Sequence, residues 1–204
     1  MVRKIRQYIE KHRLLDANAK IIVGLSGGAD SVALLFILHR LGYACVAAHC
    51  NFHLRGEEAF RDEQQAMDFA RSLHIPCMKQ DFDTLSVARR RGVSVEMAAR
   101  DLRYEWFEQL RREQDAGAIA VAHHRDDSIE TLLLNLIRGT GIKGLAGIQP
   151  KNGYIVRPLL NVSKQDILHY VAEKQLPFVT DSSNLQDEYM RNKIRLSALP
   201  LLQS

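Results

Sequence analysis

The sequence has few cysteines, no long hydrophobic run and no large excess of either charge. Its three cysteines are an odd number and form no CxxC pair, which argues against a disulfide framework and predicts a reducing, cytosolic setting. The longest apolar run, residues 32–38, is too short to span a bilayer, so we expect no membrane-spanning segment and no membrane partner. The first fifteen residues are charged throughout, so we expect no signal peptide.

The charge balance is close to neutral. The 204 residues include 28 Lys and Arg against 24 Asp and Glu, which gives a net charge of +4. This mild basic excess permits a polyanionic partner without requiring one. Hydrophobic residues make up 46% of the chain and charged residues 25%, which is typical of a globular protein and argues against disorder.

Short apolar runs rich in β-branched residues alternate with longer segments whose apolar residues recur at helical spacing. This alternation predicts an α/β, Rossmann-like fold with a mainly parallel sheet and helices on both faces. The predicted strands are residues 21–25, 44–48, 75–78, 118–122 and 154–156, and the predicted helices are residues 1–15, 32–41, 57–73, 95–110, 129–137 and 163–174.

A glycine-rich loop, SGGADS at residues 26–31, lies between the first predicted strand and the helix that follows it. Ligands of open α/β sheets bind at the carboxyl ends of strands, and consecutive loop N–H groups at a helix N-terminus form an anion site. The loop is neither a Walker loop nor a dinucleotide fingerprint, because no Lys follows the glycines and GxGxxG is absent. The structural alternative is a tight turn capped by Asp30. A carboxylate beside bound phosphate favours a bridging Mg²⁺, which supports the binding site.

A second polar segment, AHHRDDSIET at residues 122–131, follows the fourth predicted strand and begins a helix. The structural alternative here is helix capping, since Asp127 and Glu130 have the spacing of a capping box. Capping accounts for one carboxylate, but it does not account for two histidines beside two aspartates at the end of a strand. We therefore expect this segment to contribute to a functional site.

The segment around residue 50 also carries several polar residues. His49, Asn51 and His53 share one face if the second strand continues that far, and Cys45 and Cys50 lie nearby. Structural zinc sites normally use close-spaced ligand pairs such as CxxC, which this chain does not contain. We expect polar contacts to nucleotide or substrate rather than a zinc site.

Two pairs of arginines are candidates for phosphate contacts, and one of them, Arg191 and Arg195, has a spacing that suits phosphate binding. Arg100 and Arg103 lie opposite much of the apolar stripe of the helix predicted at residues 95–110, and Arg191 and Arg195 are four residues apart. Neighbouring guanidinium groups bind phosphate by bidentate hydrogen bonds. The alternative is that these arginines are simply solvated.

These segments together resemble a known family. SGGADS resembles the SGGxDS motif of the N-type ATP pyrophosphatases, the PP-loop superfamily. Seven further segments resemble the tRNA(Ile)-lysidine synthetase family within it. In chain order they are HCNFHLRG, AARDLRYEWF, AHHRDDSIET, RGTGIKGLAGI, RPLL, DSSN and RNKIR.

The resemblance implies a fold and a reaction. The fold is that of an adenine nucleotide alpha hydrolase-like domain over residues 1–204, with residues 140–204 as a C-terminal extension and without the family's C-terminal tRNA-binding domains. The reaction is ATP-dependent ligation of L-lysine to the wobble cytidine of the CAU-anticodon isoleucine tRNA. It runs through an adenylated cytidine and releases pyrophosphate and AMP.

The resemblance also implies partners and a setting. ATP is a substrate, Mg²⁺ is the cofactor and the enzyme is cytoplasmic, and a homodimer is a further expectation. The alternatives are a cytidine thiolase of the same superfamily, which the absence of CxxC disfavours, and a non-enzymatic RNA-binding module.

The resemblance assigns roles to individual residues. It implies catalytic roles for Asp30, Arg103, His123, Asp127 and Arg195, with Asp30 and Asp127 as Mg²⁺ ligands. The glycine-rich residues 138–148, which alone would indicate a flexible connector, become a substrate-covering loop. The residues expected to bind ATP are Ser26, Gly27, Gly28, Ala29, Asp30 and Ser31, and those expected to contact substrate or RNA are His49, Asn51, His53, Arg55, Arg100, Lys143 and Arg191.

Overall fold

The structure is a computed structural model that describes residues 1–140 and 147–179. Its helices are α1 (Val2–Lys11), α2 (Ala29–Arg40), α3 (Glu57–Ser72), α4 (Thr84–Arg91), α5 (Val95–Glu113), α6 (Arg125–Ile137) and α7 (Lys164–Glu173). Its strands are β1 (Lys20–Gly24), β2 (Ala44–Asn51), β3 (Cys77–Asp81), β4 (Ala118–Ala120), β5 (Lys151–Asn152) and β6 (Ile155–Val156). No helix within these two ranges is long and apolar enough to cross a membrane.

The strands form one sheet in the order β3-β2-β1-β4-β6-β5. Neighbouring strands are parallel except for the antiparallel pair β5–β6. β1 is central, because β2 pairs with one of its edges and β4 with the other. The chain proceeds from β1 to β2 and β3 on one side and later reaches β4 on the other, so the sheet has its topological switch point between β1 and β4. The predicted α/β fold with a mainly parallel sheet is confirmed.

The central strand is covered on both faces. Ile21 and Val23 belong to a hydrophobic cluster that includes residues of α1, α2, α3 and α7, whereas Ile22 belongs to a second cluster built with α5. All three side chains are completely buried. Because successive side chains of a strand point to opposite faces, an unbroken apolar run is what a strand buried on both faces requires.

The structure differs from the sequence prediction at the edge strand β3 and at α4, the helix that follows it. β3 is Cys77–Asp81 rather than residues 75–78, because Ile75 closes the end of α3 by donating its N–H to the Ala70 carbonyl. The strand that follows is polar and mostly exposed, so apolar patterning does not reveal it. α4 was not predicted, since it is short, arginine-rich and largely exposed, and Asp83 begins it by accepting the Ser86 N–H at 3.1 Å.

Truncating the central strand should destabilise the fold strongly. We expect Ile22→Ala to lower the free energy of unfolding by about 2–5 kcal/mol, because it leaves a cavity at a completely buried position. Ile137→Ala is the matched control, since the same side chain is 59% exposed there and its loss should cost less than about 0.5 kcal/mol. Urea denaturation of both variants measures the two values, and equal losses would contradict this assignment of the core.

Candidate functional site

The SGGADS loop lies at the carboxyl end of β1, at the switch point of the sheet. Gly27 has φ of +90°, and a Cβ there would lie 3.2 Å from a Val179 methyl and 3.3 Å from the Asp62 carbonyl oxygen, so both conformation and space require glycine. The Ser31 hydroxyl donates to the Gly28 carbonyl at 2.9 Å and accepts the Ser26 N–H at 3.2 Å. These bonds hold the two sides of the turn together.

The predicted alternative for this loop, a turn capped by Asp30, is wrong. Gly28 is the N-cap of α2 and makes no side-chain capping bond, while Asp30 lies within the first helical turn. Both oxygens of the Asp30 carboxylate instead accept hydrogen bonds from the Lys164 ammonium, each at 2.7 Å. Asp30 is thus directed away from the helix backbone and toward a cation on α7.

The loop forms one wall of a cavity of about 310 Å³, here called the first cavity. Its lining also includes Arg103 and Tyr104 of α5 together with His123, which follows β4. The Arg103 guanidinium lies 5.2 Å from the centre of the Phe52 ring, which holds its charge over an aromatic face. The remaining lining residues are Gly24, Leu25, Ser26, Gly28, Asp30, Ser31, Ala48, Cys50, Phe52, Phe107, Val121 and Ala122.

His123 also lines a neighbouring second cavity of about 430 Å³. Burial, and then the positive charges of Arg157, Arg100 and Arg103, lower the His123 pKa from 6.5 to about 4. Its Nδ1 is buried and has no hydrogen-bond partner among the described residues. The imidazole is therefore neutral at pH 7 and has a ring nitrogen available for a ligand.

The second cavity combines carboxylates with guanidinium groups. Asp127 and Glu130 of α6 lie in its wall, together with Arg100 and the nearly fully buried Arg157. Arg157 donates from Nη1 to the Gln149 carbonyl at 2.8 Å. A molecule that carries both an ammonium and a carboxylate group would find partners for both here.

The histidines and aspartates of the AHHRDDSIET segment make different contacts. His124 is the N-cap of α6 and forms a capping box with Asp127, whose Oδ2 accepts the His124 N–H at 2.9 Å. The box therefore pairs Asp127 with His124, and not with Glu130 as the sequence spacing indicated. Asp126 accepts the backbone N–H of Lys164 at 2.9 Å, which ties the start of α7 to the start of α6.

The polar residues around position 50 are bonded within the protein. The buried His49 donates from Nδ1 to the Leu25 carbonyl at 2.8 Å, directly before the loop. Asn51 donates to Glu63 at 3.0 Å and accepts the His53 N–H. His53 lies beyond the end of β2, and its ring contacts Asp81 at 2.9 Å, so the three side chains do not form one row along the strand.

The structure brings many of the predicted site residues together. Arg103, His123 and loop residues share the first cavity, and Arg100, His123 and Asp127 share the second. The two predicted Mg²⁺ ligands, Asp30 and Asp127, line different cavities. The predicted residues Lys143, Arg191 and Arg195 lie outside the described residues, as do the DSSN and RNKIR segments.

The sequence analysis missed Tyr104 in the first cavity, Arg157 in the second and Lys164, the partner of Asp30. Arg157 lies in the RPLL segment and Tyr104 in the AARDLRYEWF segment. Both segments carry the family resemblance, but neither residue received a role from it. Lys164 follows Ser163, the N-cap of α7 and the first residue of the predicted helix, and nothing in the helix pattern marks it as a partner of the loop. No local signal identifies it, because its contact with Asp30 spans 134 positions of the sequence.

Comparison with known sequences gives a family match and close relatives. The model of a family of PP-loop domains matches residues 1–202. The tRNA(Ile)-lysidine synthase of Parabacteroides distasonis is 61% identical over 203 residues, which are 100% of this chain and 46% of the relative. The enzyme of that name from Bacteroides thetaiotaomicron is 56% identical over 200 residues, which are 98% of this chain and 47% of the relative. The chain spans a little under half the length of these relatives.

Solved structures share the fold at low sequence identity. The U34-tRNA thiolase NcsA from Methanococcus maripaludis has a TM-score of 0.83 at 19% identity, over 99% of this chain and 72% of that chain. The NH3-dependent NAD synthetase from Campylobacter jejuni has a TM-score of 0.58 at 13% identity, over 98% of this chain and 84% of that chain. At these identities the likeness concerns the fold alone.

The protonation of His123 can be measured directly. We expect a pKa of about 4 in the folded protein against 6.5 for an ordinary histidine, so the unfolded chain binds more protons between these pH values. The free energy of unfolding should therefore fall as the pH decreases through this window, and less steeply in His123→Gln. NMR titration of labelled histidines gives the pKa, with the variant identifying the resonance. Identical pH dependence of stability in both proteins would contradict this.

Proposed function

This chain belongs to the PP-loop domain family, and we propose that it binds ATP on residues 26–31 and uses it to form lysidine in an isoleucine tRNA. One observation carries the proposal. The SGGADS loop lines the first cavity together with Arg103 and a neutral His123, at the switch point where open α/β sheets bind ligands, and this supports ATP binding there. The names of the relatives supply the reaction, and the chain corresponds to a little under half of their length.

The proposed reaction has two steps. In the first, the ring carbonyl oxygen of the wobble cytidine in the CAU anticodon attacks the α-phosphorus of ATP. The bond from the α-phosphorus to the bridging oxygen breaks, and its electron pair leaves with pyrophosphate. In the second, the ε-amine of L-lysine attacks the adenylated ring carbon and loses a proton, and AMP leaves with the electron pair of the carbon–oxygen bond.

The loop, Arg103 and His123 would act on the first step. We place the adenosine in the first cavity and the triphosphate over the loop N–H groups at the start of α2. Arg103 would stabilise the charge that develops on the α-phosphate, because its guanidinium is already held over Phe52 and needs no reorganisation. His123 is neutral, so it offers a hydrogen bond without adding to the surrounding positive charge.

Asp30 is the proposed ligand for Mg²⁺. Its carboxylate lies beside the phosphate-binding loop and already holds a cationic group, and carboxylate oxygens are preferred Mg²⁺ ligands. When bound, Mg²⁺ supplies positive charge to the leaving pyrophosphate. A Mg²⁺ role for Asp127 also stays a prediction, because Asp127 lines the second cavity and not the first.

The second cavity is the proposed place for lysine. Asp127 and Glu130 would receive an ammonium group, while Arg100 and Arg157 would receive the carboxylate. His123 forms a common wall, so the amine can approach a cytidine held at the boundary of the two cavities. Lysine, a homodimer and a cytoplasmic location are all parts of the proposal that stay predictions.

The thiolase alternative finds no support in the cysteines. All three are free, and burial raises the pKa values of the Cys45 and Cys50 thiols to about 12 and that of Cys77 to about 11. Cluster ligation and persulfide chemistry use thiolates, which normally have lowered pKa values. A purely RNA-binding module would not require the loop and the first cavity, and it would bind RNA with no effect of ATP.

Arg103 should affect the rate far more than the fold. We expect Arg103→Ala to slow pyrophosphate release in the presence of tRNA and lysine by about 100-fold, because it removes a preorganised charge. Arg112→Ala is the matched control on the same helix, since that side chain is 74% exposed and ion-paired with Glu108. A pyrophosphate-release assay and a thermal melt measure both variants. Equal rates in the two would remove Arg103 from the proposed mechanism.

Asp127 can be tested separately for capping and for function. Asn retains a side-chain oxygen for the His124 N–H, so Asp127→Asn should change the melting temperature by only a few degrees. It should slow turnover at least about tenfold, since a charged partner is lost. Asp166→Asn is the control, because Asp166 holds the corresponding position of the Ser163 capping box in α7. If both variants keep normal turnover, capping is the whole role of Asp127.

A further inference from the structure

A third cavity lies on the other side of the SGGADS loop. Its volume is about 330 Å³, and it shares Ser26, Gly28 and Asp30 with the first cavity. The loop therefore lines both cavities. The other residues that line the third cavity are Ala29, Arg55, Asp62, Lys164, Leu168, Phe178 and Val179.

The third cavity contains two cations, each held by a carboxylate. The Lys164 ammonium lies 2.7 Å from both oxygens of Asp30, and Arg55 Nη2 lies 3.1 Å from Asp62 Oδ2. The two pairs differ mainly at the carboxylate. The Asp62 side chain is 3% exposed, whereas that of Asp30 is 28% exposed. The Lys164 side chain is itself 41% exposed, so its ammonium can reach a ligand in the cavity.

The position of Lys164 is built by several contacts. It is the first residue of α7, directly after the N-cap Ser163, whose side chain accepts the Asp166 N–H at 3.0 Å. Its own backbone N–H donates to Asp126 at 2.9 Å. The backbone of Lys164 is therefore fixed relative to α6, while its four-carbon side chain is free to change partner.

The charges around the loop favour a contact between the Lys164 ammonium and phosphate bound there. An unpaired Asp30 carboxylate would repel phosphate from the loop N–H groups, and the ammonium removes that repulsion. With a triphosphate on the loop, the ammonium would be close to both the carboxylate and the phosphates, since Lys164, Ser26 and Gly28 line the same cavity. An ammonium is a compact point charge with three donors, so it can serve both groups.

We propose that Lys164 binds the β- and γ-phosphates of ATP and stays with pyrophosphate as it leaves through the third cavity. The leaving group gains negative charge as the bond to the α-phosphorus breaks, so an ammonium at this place stabilises the transition state more than the bound substrate. This inference rests on the proposed use of ATP by this chain.

The test compares ligands that contain and lack the outer phosphates. Calorimetry with ATP, pyrophosphate and AMP, in Mg²⁺ buffer, should show about tenfold weaker binding of ATP and pyrophosphate to Lys164→Gln and unchanged binding of AMP. Lys4→Gln is the control, since Lys4 is also ion-paired with an aspartate at the start of α7, 3.8 Å from Asp166, but lies outside the third cavity. Unchanged affinities in Lys164→Gln would overturn the inference. Wild-type protein that binds neither ATP nor AMP would instead contradict the proposed function.

A second measurement needs no variant and keeps the test decisive if Lys164→Gln does not fold. The wild-type protein is treated with an amine-acetylating reagent, and acetylation of Lys164 is followed by mass spectrometry. Pyrophosphate should slow acetylation of Lys164 at least about fivefold and leave Lys4 unaffected, while AMP should protect neither. Equal acetylation of Lys164 with and without pyrophosphate would overturn the inference.

Discussion

The burial of β1 on both faces, together with its pairing on both edges, is the constraint on which the site depends. Ile21, Ile22 and Val23 are completely buried, and no shift of the strand is possible without exposing one of them. The chain therefore leaves the sheet at a defined point and enters the loop there. The hydrogen bond from His49 on β2 to the Leu25 carbonyl extends this restraint by one residue beyond the strand.

The loop takes its shape from backbone contacts and two hydroxyl groups. Ser31 bonds to both sides of the turn, and Val179 donates its N–H to the Gly27 carbonyl at 3.0 Å. The Ser26 hydroxyl lies 3.1 Å from that of Ser31 and accepts the N–H of Gly28, the N-cap of α2, at 3.4 Å. A helix that begins in this way is suited to anions, because its first N–H groups carry partial positive charge.

Charge divides the surroundings of the loop into two environments. On the side of α7, carboxylates and cations are paired, as in Asp30 with Lys164. On the side of α5, cations predominate around His123, and their field together with burial keeps that imidazole neutral. In the proposed binding mode, the outer phosphates of ATP would meet the Asp30–Lys164 ion pair, and its α-phosphate would meet the positive charges around His123.

The sequence alone determined the alternation of strands and helices, the parallel sheet and the glycine loop at the end of the first strand. These follow from local patterns, since the period of apolar residues reports burial directly. The same patterns failed for β3, whose residues are exposed and polar at the sheet edge. Tertiary structure alone decided that Lys164 meets Asp30 and that His124 rather than Glu130 completes the capping box with Asp127. Such contacts depend on how α6 and α7 pack and begin, and a partner 134 positions away leaves no periodic trace in the sequence.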